Sequence, residues 1–415
     1  MADVADLDDL AALYRDLHAH PELAFAERRT AGIAAERLHG LGYRVTAAVG
    51  GTGVVGVLEN GDGPTVLLRA DMDALPVLEQ TGLPYASTRH VRDAAGADVP
   101  VMHACGHDMH VSCLLGAAAE LAAQAASGAW QGRLLLVFQP AEEGGGGAQA
   151  MIDDGLYDRF PVPDIVLGQH VMPLPAGVLS LHGGAAMAAA DAIRVVLYGE
   201  GGHGSRPETT VDPVLMAAAT VLRLQGIVSR EVAAGDTAVL TVGALHAGTA
   251  ANIIPDRAEL LLSLRSFDEK VHGKVRDAID RIVRAEAAAS GARKEPEVTT
   301  AESFPVLVND PAASARLTEV FNAGVGLTLD PGPVTGSEDV GVLATAAGAP
   351  CAYWFIGGSD PALFAGVTTI DEAKAVVDGL PSNHSPYFAP MIEPTLRTGI
   401  TALTTAARTY LAPGR

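Results

Sequence analysis

Cysteine is scarce in this chain. Cys105, Cys113 and Cys351 are the only three among 415 residues. So small and odd a number speaks against a disulfide framework. Cys113 and Cys351 stand in apolar surroundings and are expected in the core, whereas Cys105 stands between histidines. Long apolar runs are missing as well. No stretch approaches the roughly 18 residues of a membrane span, so no membrane partner is expected. The start, MADVADLDDLAALYRDLHAHPEL, is acidic and lacks the basic opening and apolar centre of a secretion signal. A cytoplasmic location is the resulting expectation. Positive charge is also in short supply: 28 Lys and Arg face 49 Asp and Glu, a formal net charge of −21. A surface this acidic repels nucleic acid and anionic membrane. The excess is spread along the chain with no acidic tail, so it reads as solubility. Internal repeats and low-complexity segments are lacking beyond a general richness in alanine.

What is present is an ordinary globular composition, 48% hydrophobic and 19% charged. The length suffices for two domains. Leu10, Leu13, Tyr14 and Leu17 recur at helical spacing, and a second helix is predicted from about Glu27 to Leu38, ending at Gly40. Short apolar runs follow at Gly53–Leu58, Thr65–Leu68, Leu134–Phe138 and Ile165–Leu167, with a helix over Val111–Ala125. Buried strands alternating with helices predict an α/β domain with a mixed, largely parallel sheet flanked by helices. The middle of the chain reads differently. Strands at Asp191–Tyr198, Thr237–Leu245, Ala258–Arg265 and Glu295–Thr300 alternate with helices at Asp212–Ile227 and Lys270–Ala289. That order is βαββαβ, the ferredoxin-like arrangement. The expected organisation is a discontinuous catalytic domain, residues 1–187 and 304–415, interrupted by an inserted domain over 188–303. Gly183-Gly184-Ala185 and Phe304-Pro305 are the expected crossings. After Val306 the α/β pattern resumes, with a helix, a strand at Ala352–Ile356 and a last helix beyond Pro394.

Polar clusters punctuate this frame. Met102–His110 reads MHACGHDMH, just before an apolar helix. Thiolate and imidazole suit zinc-class cations, and the glycine between Cys105 and His107 lets a loop turn both toward one point. The alternative is a helix capped by Asp108 with surface histidines. QPAEEGGGG over 139–147 follows a strand directly, and α/β sheets place their sites at the carboxyl ends of strands. Adjacent carboxylates there can divide the work, one binding metal and the other moving a proton. A solvated acidic turn is the alternative. His170 in GQHV and His384 in SNHSP are lone histidines, a type more often satisfied polar residues than ligands. Asp71 and Asp73 in RADMDALP sit at another strand end, where a carboxylate is a ligand or orients one. GGHGSRP places His203 among glycines, a poor setting for a core residue and a good one for a donor to a developing oxyanion. Asn252 lies in NIIPD, and Arg265 ends an alternating strand. A guanidinium there can grip a carboxylate with paired hydrogen bonds or form a surface salt bridge.

Taken in order, LHAHPEL, RADMDALP, HACGHDMH, QPAEEGGGGA, GQHV, GGHGSRP, NIIPD, GSEDVG and NHSP resemble the aminoacylase/carboxypeptidase-type metallopeptidase superfamily. The resemblance is in particular to the branch of hippurate hydrolases, N-acyl-amino-acid amidohydrolases and plant indole-acetyl-amino-acid hydrolases. It runs from about Leu17 to Pro386. It implies a di-metal peptidase fold with a lid and dimerisation domain. It also implies two divalent cations per subunit, held by Cys105, His107, Glu143, His170 and His384. Cysteine and histidine permit zinc, and manganese, nickel or cobalt would serve in the same donors. By the same resemblance Glu142 is the general base, His203 holds the scissile carbonyl oxygen, and Asp73 orients a ligand. Asn252 and Arg265 lie near the substrate. Most of the superfamily has a bridging aspartate where this chain has Cys105, and a histidine where it has Asp71; His107 resembles the replacement ligand. The implied substrate is a small N-acyl amino acid, and the implied assembly a homodimer through the lid.

Two other readings compete. A dipeptidase or carboxypeptidase keeps the chemistry and changes the substrate. A non-catalytic binding relative predicts a lost base or ligand, yet Glu142 and all five ligand positions are present. A structural zinc module fits poorly, because closed sets of four cysteines and histidines would be expected.

Overall fold

The computed structural model describes residues 6–93 and 95–413, so the first five residues of the acidic start lie outside the described part. Two compact units are formed. The larger comprises the chain up to Gly184, Val308–Gly332 and the chain from Asp339; the smaller comprises Ala185–Leu307 and Pro333–Glu338.

The larger unit opens with α1 (Leu7–Ala19), capped by Asp6, whose carboxylate accepts the N–H groups of Asp8 and Asp9. Its buried stripe is Leu10, Leu13, Tyr14, Leu17 and His18. Then come α2 (Arg28–Gly40), β1 (Arg44–Val49), β2 (Gly53–Asn60), β3 (Thr65–Asp71), α3 (His107–Ala126), β4 (Trp130–Gln139) and β5 (Ile165–Pro175). In the smaller unit follow β6 (Ala189–Tyr198), α4 (Pro213–Arg230), β7 (Ala238–Ala247), β8 (Arg257–Ser266), α5 (Glu269–Ala289) and β9 (Glu297–Phe304). The chain closes with α6 (Pro311–Gly324), β10 (Cys351–Ser359) and α7 (Thr395–Tyr410) of the larger unit.

The central sheet of the larger unit runs β1-β2-β4-β3-β5-β10 and continues into the short strands Leu179–Ser180 and Thr328–Leu329. Strands β4, β3, β5 and β10 are parallel neighbours, while β1 and β2 are antiparallel additions. Every residue of β3 is buried, as a strand covered on both faces requires. Helix α3 is buried from His107 to Ala118 and packs against β3, α1 and α7. Two glycines permit the close crossing of α3 and α7. A Cβ at Gly116 would lie 2.5 Å from Ile400, and one at Gly399 2.5 Å from the Cys113 thiol.

The smaller unit has a four-stranded antiparallel sheet in the order β7-β8-β6-β9. Ala258, Leu260, Leu262 and Leu264 alternate inward along β8 and meet Met216, Leu224, Ile279 and Ile282 of the two helices. Asp212 and Asp268 cap those helices, each accepting two backbone N–H groups.

Two elements of the larger unit extend past their apolar runs. The run Thr65–Leu68 continues as strand to Asp71, and α3 begins at His107 rather than Val111. Polar residues fail to end these elements because they satisfy one another inside the fold. Arg69 pairs with Asp71, and Asp71 pairs with His110.

Candidate metal centre and active site

The carboxyl ends of β3 and β4, the start of α3 and the middle of β5 converge. Gly106 is the turn that makes this possible. Its φ is 87°, in the left-handed region, and a Cβ there would lie 2.4 Å from Val171. Cys105 and His107, on either side of it, are both buried. From the carboxyl-terminal loop, the His384 N–H donates to the Ala104 carbonyl at 2.8 Å. The Asn383 amide donates to the carbonyls of Cys105 and Val171, both at 3.1 Å. Asn383 thus ties three segments together, a function its position beside His384 only hints at.

Several groups of possible ligands form among the described side chains, one of them His107, Glu142 and Glu143, and two of the others have a common member. Donor atoms of Cys105, His107 and His170 lie within 4.8 Å of one another, and so do those of Cys105, Glu143 and His384. The thiol is the shared corner. His170 donates through Nδ1 to the Val171 carbonyl at 2.8 Å, which leaves the lone pair on Nε2, 3.3 Å from the Cys105 sulfur. Burial holds the His170 imidazole well below its ordinary pKa, so that lone pair stays available. His384 Nε2 lies 3.2 Å from Glu143 Oε2.

His107 has no hydrogen-bond partner on either ring nitrogen although it is fully buried. Its Nε2 faces Asp71, Glu142 and Glu143 at 3.8, 3.9 and 3.9 Å. Burial opposes a charge on this ring, but Asp71, Asp73 and Glu143 outweigh it and raise its pKa to about 10. The carboxylates around this ring therefore favour positive charge at this point. Conversely, burial first, and then Glu143, Glu142 and Asp71, push the Cys105 thiol far above its ordinary range. A thiolate here calls for a divalent cation to balance it. An orphaned imidazole, an orphaned Glu143 Oε1 and a surplus of carboxylates fit such a cation.

Asp73 is fully buried beneath the glutamate pair. Its two oxygens accept the backbone N–H groups of Glu142 and Glu143, both at 3.0 Å, and Oδ1 lies 3.3 Å from His107 Nδ1. Glu142 is buried at 6% exposure, so the solvated-turn reading does not hold. Nor does that of surface histidines, since His103, His107 and His110 are at most 1% exposed. Asp108 is not the cap either. Gly106 occupies that place, and Asp108 instead accepts from His18 Nδ1 at 2.7 Å.

In the smaller unit, His203 is exposed, and Gly204 next to it donates to the Asn252 carbonyl at 2.8 Å. The Ser205 N–H donates to His203 Nδ1 at 3.1 Å, which places the ring proton on Nε2 and makes that atom a donor. Arg265 Nη1 donates to the Thr335 carbonyl at 2.6 Å and lies 3.2 Å from Ser337 Oγ.

The sequence profile of Peptidase family M20/M25/M40 matches residues 67–408. The chain belongs to this family. It is 40% identical over 360 residues to a hippurate hydrolase of Campylobacter jejuni, covering 85% of this chain and 89% of that one. Thermostable carboxypeptidase 1 of Saccharolobus solfataricus is 37% identical over 361 residues, with 86% and 87% covered. Among solved structures, a dinuclear metal-binding peptidase of the M20 family from Bacillus subtilis superposes with a TM-score of 0.73 at 27% identity, covering 97% of this chain and 98% of that one. This M20 chain is accordingly an amide hydrolase, with a mixed, largely parallel α/β sheet and candidate metal-ligand groups at its centre.

For an M20 protein the surroundings of Asp71 are instructive. Its carboxylate is bonded by Arg69 Nη1 and His110 Nδ1, and His110 Nε2 in turn accepts the Val171 N–H at 2.8 Å. Arg69 also donates to Gln139 at 2.9 Å and to Asp339 at 3.1 Å. One buried guanidinium therefore keys the RADMD strand to the end of β4 and to the GSEDVG segment, and Asp71 ties that strand to α3 through His110. Sequence reading missed Arg69 and His110 in this role, because their partners lie as far as 270 residues away.

Proposed function

We propose that this chain hydrolyses the amide bond of N-acyl amino acids. Cys105, His107, Glu143, His170 and His384 hold two divalent cations, and Glu142 carries the proton. The observation that supports this most is the Cys105 thiol, shared by two donor sets beside a buried carboxylate that belongs to neither set containing the cysteine. When bound, the cations supply Lewis acidity, lowering the pKa of the attacking water and polarising the carbonyl.

The protein residues do the rest. Glu142 accepts a proton from the attacking water on a carboxylate oxygen and delivers it to the leaving nitrogen, acting first as base and then as acid. Asp73 holds the Glu142 peptide during both transfers through the 3.0 Å bond to its N–H. Nε2–H of His203, set as a donor by Ser205, stabilises the oxygen on which negative charge develops. Asn252 supports the His203 turn through its carbonyl, and Arg265 receives the substrate carboxylate. The smaller unit acts as a lid. It also carries the contact of a homodimer: Leu215 and Leu222 of α4 are 70% and 76% exposed, an apolar pair one face of a second copy would cover. Free, buried cysteines accord with a reducing cytoplasm. Among the described residues no helix is long and apolar enough to cross a membrane.

The test is a hydrolysis screen of N-acetyl, N-benzoyl and indole-acetyl amino acids against dipeptides, repeated with zinc, manganese, nickel and cobalt. Cleavage of the acyl amino acids with dipeptides inert supports the proposal. The reverse preference replaces it with the carboxypeptidase reading that the name of the Saccharolobus relative suggests. The dimer is read by light scattering on the eluting protein.

A further inference from the structure

Pro140 is followed by three consecutive backbone donors, each held by a carboxylate. The N–H groups of Glu142 and Glu143 go to Asp73, and the N–H of Ala141 goes to Glu27 Oε1 at 2.8 Å. Ala141 is fully buried and has φ 48°, a left-handed conformation that an alanine adopts only under constraint. Glu27 Oε1 also accepts the N–H of Phe25 at 2.9 Å, and Phe25 has φ 58°. Four non-glycine residues have positive φ among those described, and two of them donate to this one side chain. The other oxygen, Oε2, accepts the Thr52 hydroxyl. Glu27 is itself wholly buried. It occupies the cap position of α2, yet its side chain makes no capping bond there. The carboxylate is turned away from the helix it begins and toward the loop.

We propose that Glu27 is a positioning residue for hydrolysis, holding Ala141 in its left-handed conformation so that Glu142 and Glu143 face the cluster. This rests on Glu142 being the proton carrier. Without the acceptor, the buried Ala141 N–H has no partner, and its strained φ loses the bond that fixes it from the Pro140 side. Relaxation toward the ordinary helical or extended region rotates the peptide between Pro140 and Ala141 and disturbs the turn that leads into Glu142. It also pulls on the Ala141 carbonyl, which accepts the Gly147 N–H at 3.1 Å and closes the loop. Asp73 alone fixes the two peptides after Ala141 and leaves the one before them unrestrained.

The experiment compares Glu27→Ala, Glu27→Gln and the double variant Glu27→Ala/Ala141→Gly in the full chain. It follows kcat and KM with zinc supplied, and amide hydrogen exchange in the metal-free protein. In Glu27→Ala, kcat falls roughly 30-fold or more with KM changed by less than about threefold, the pattern of lost transition-state interactions. Exchange rises in the segment 139–147 and stays unchanged along α2. Glu27→Gln keeps an oxygen for both N–H groups and returns to within about fivefold of the parent. Glycine reaches φ near 48° without a side-chain penalty, so the double variant recovers roughly tenfold of the lost kcat. An unchanged kcat in Glu27→Ala overturns the proposal. So does a loss that Ala141→Gly fails to relieve, or exchange that rises equally along α2 and β2, since either marks a general packing role. Glu142→Gln is measured alongside. If that variant stays active, the reading of Glu142 fails, while the exchange pattern still decides what Glu27 holds.

Discussion

Replacing Glu142 with glutamine separates its role from that of its neighbour. The substitution keeps the shape of the side chain and leaves the backbone N–H on Asp73. It removes one of the carboxylates near His107, whose Nε2 still faces Asp71 and Glu143 at 3.8 and 3.9 Å. The cysteine-containing donor sets are untouched, because neither includes Glu142. Metal content is therefore expected to stay at two equivalents. General acid–base catalysis by a placed side chain is worth about 10²–10⁴-fold, and Glu142 serves in both proton transfers, which points to the upper half. A loss of about 10³–10⁴ in kcat corresponds to roughly 4–5.5 kcal/mol of barrier. The assay is steady-state hydrolysis of N-benzoylglycine, or of the best substrate in the screen, with metal counted by elemental analysis on the same sample. Glu143→Gln is the counterpart, and its primary effect is lost metal. Turnover within about threefold of the parent in Glu142→Gln would refute the assignment. Metal loss in Glu142→Gln with full metal in Glu143→Gln would show the two roles exchanged.

Three further outcomes are expected. Cys105→Ala removes the corner common to both donor sets and should lower metal content to one equivalent or less; two tightly held equivalents would sink the shared-ligand reading. His203→Ala should cost about 10²–10³ in kcat, the worth of one oxyanion donor, with metal content unchanged. His18 concerns stability and pH. It is fully buried, with Nδ1 2.7 Å from Asp108 and Nε2 3.1 Å from Glu79. Burial opposes its charge, yet the two carboxylates raise its pKa to about 10 from an ordinary 6.5. A raised folded pKa contributes stability that is fully present below the unfolded pKa and disappears as pH rises through the folded one. The urea midpoint of the metal-free protein should therefore fall toward pH 10 more steeply than that of His18→Asn, and parallel curves would contradict the buried charge.

Much of the local structure is legible from patterning. The stripe Leu10, Leu13, Tyr14 and Leu17 becomes the buried face of α1, and the run Leu134–Phe138 becomes the centre of β4. Helical and strand periodicities depend on neighbours a few residues away, so they survive in the linear text. Boundaries at the site were harder. Arg69, Asp71 and His110 look like loop residues by polarity, and they extend β3 and begin α3 because each satisfies another inside the fold. Glu27 shows the limit plainly. In the linear sequence it is the first residue of a predicted helix, and nothing nearby reveals a partner 114 residues further on.

The sequence by itself determined the α/β frame, the polar motifs and their order, and hence the family. Which atoms of those motifs can act was decided only by the tertiary structure. The Val171 carbonyl sets the lone pair of His170 on Nε2, and the Ser205 N–H sets the proton of His203 on Nε2. Asp71 is taken up by Arg69 and His110, and Asp73 by the Glu142 and Glu143 peptides. A residue type states what a side chain is able to donate or accept. Its protonation, tautomer and direction follow from burial and from partners brought close by folding, and those contacts span distances along the chain that no local pattern records.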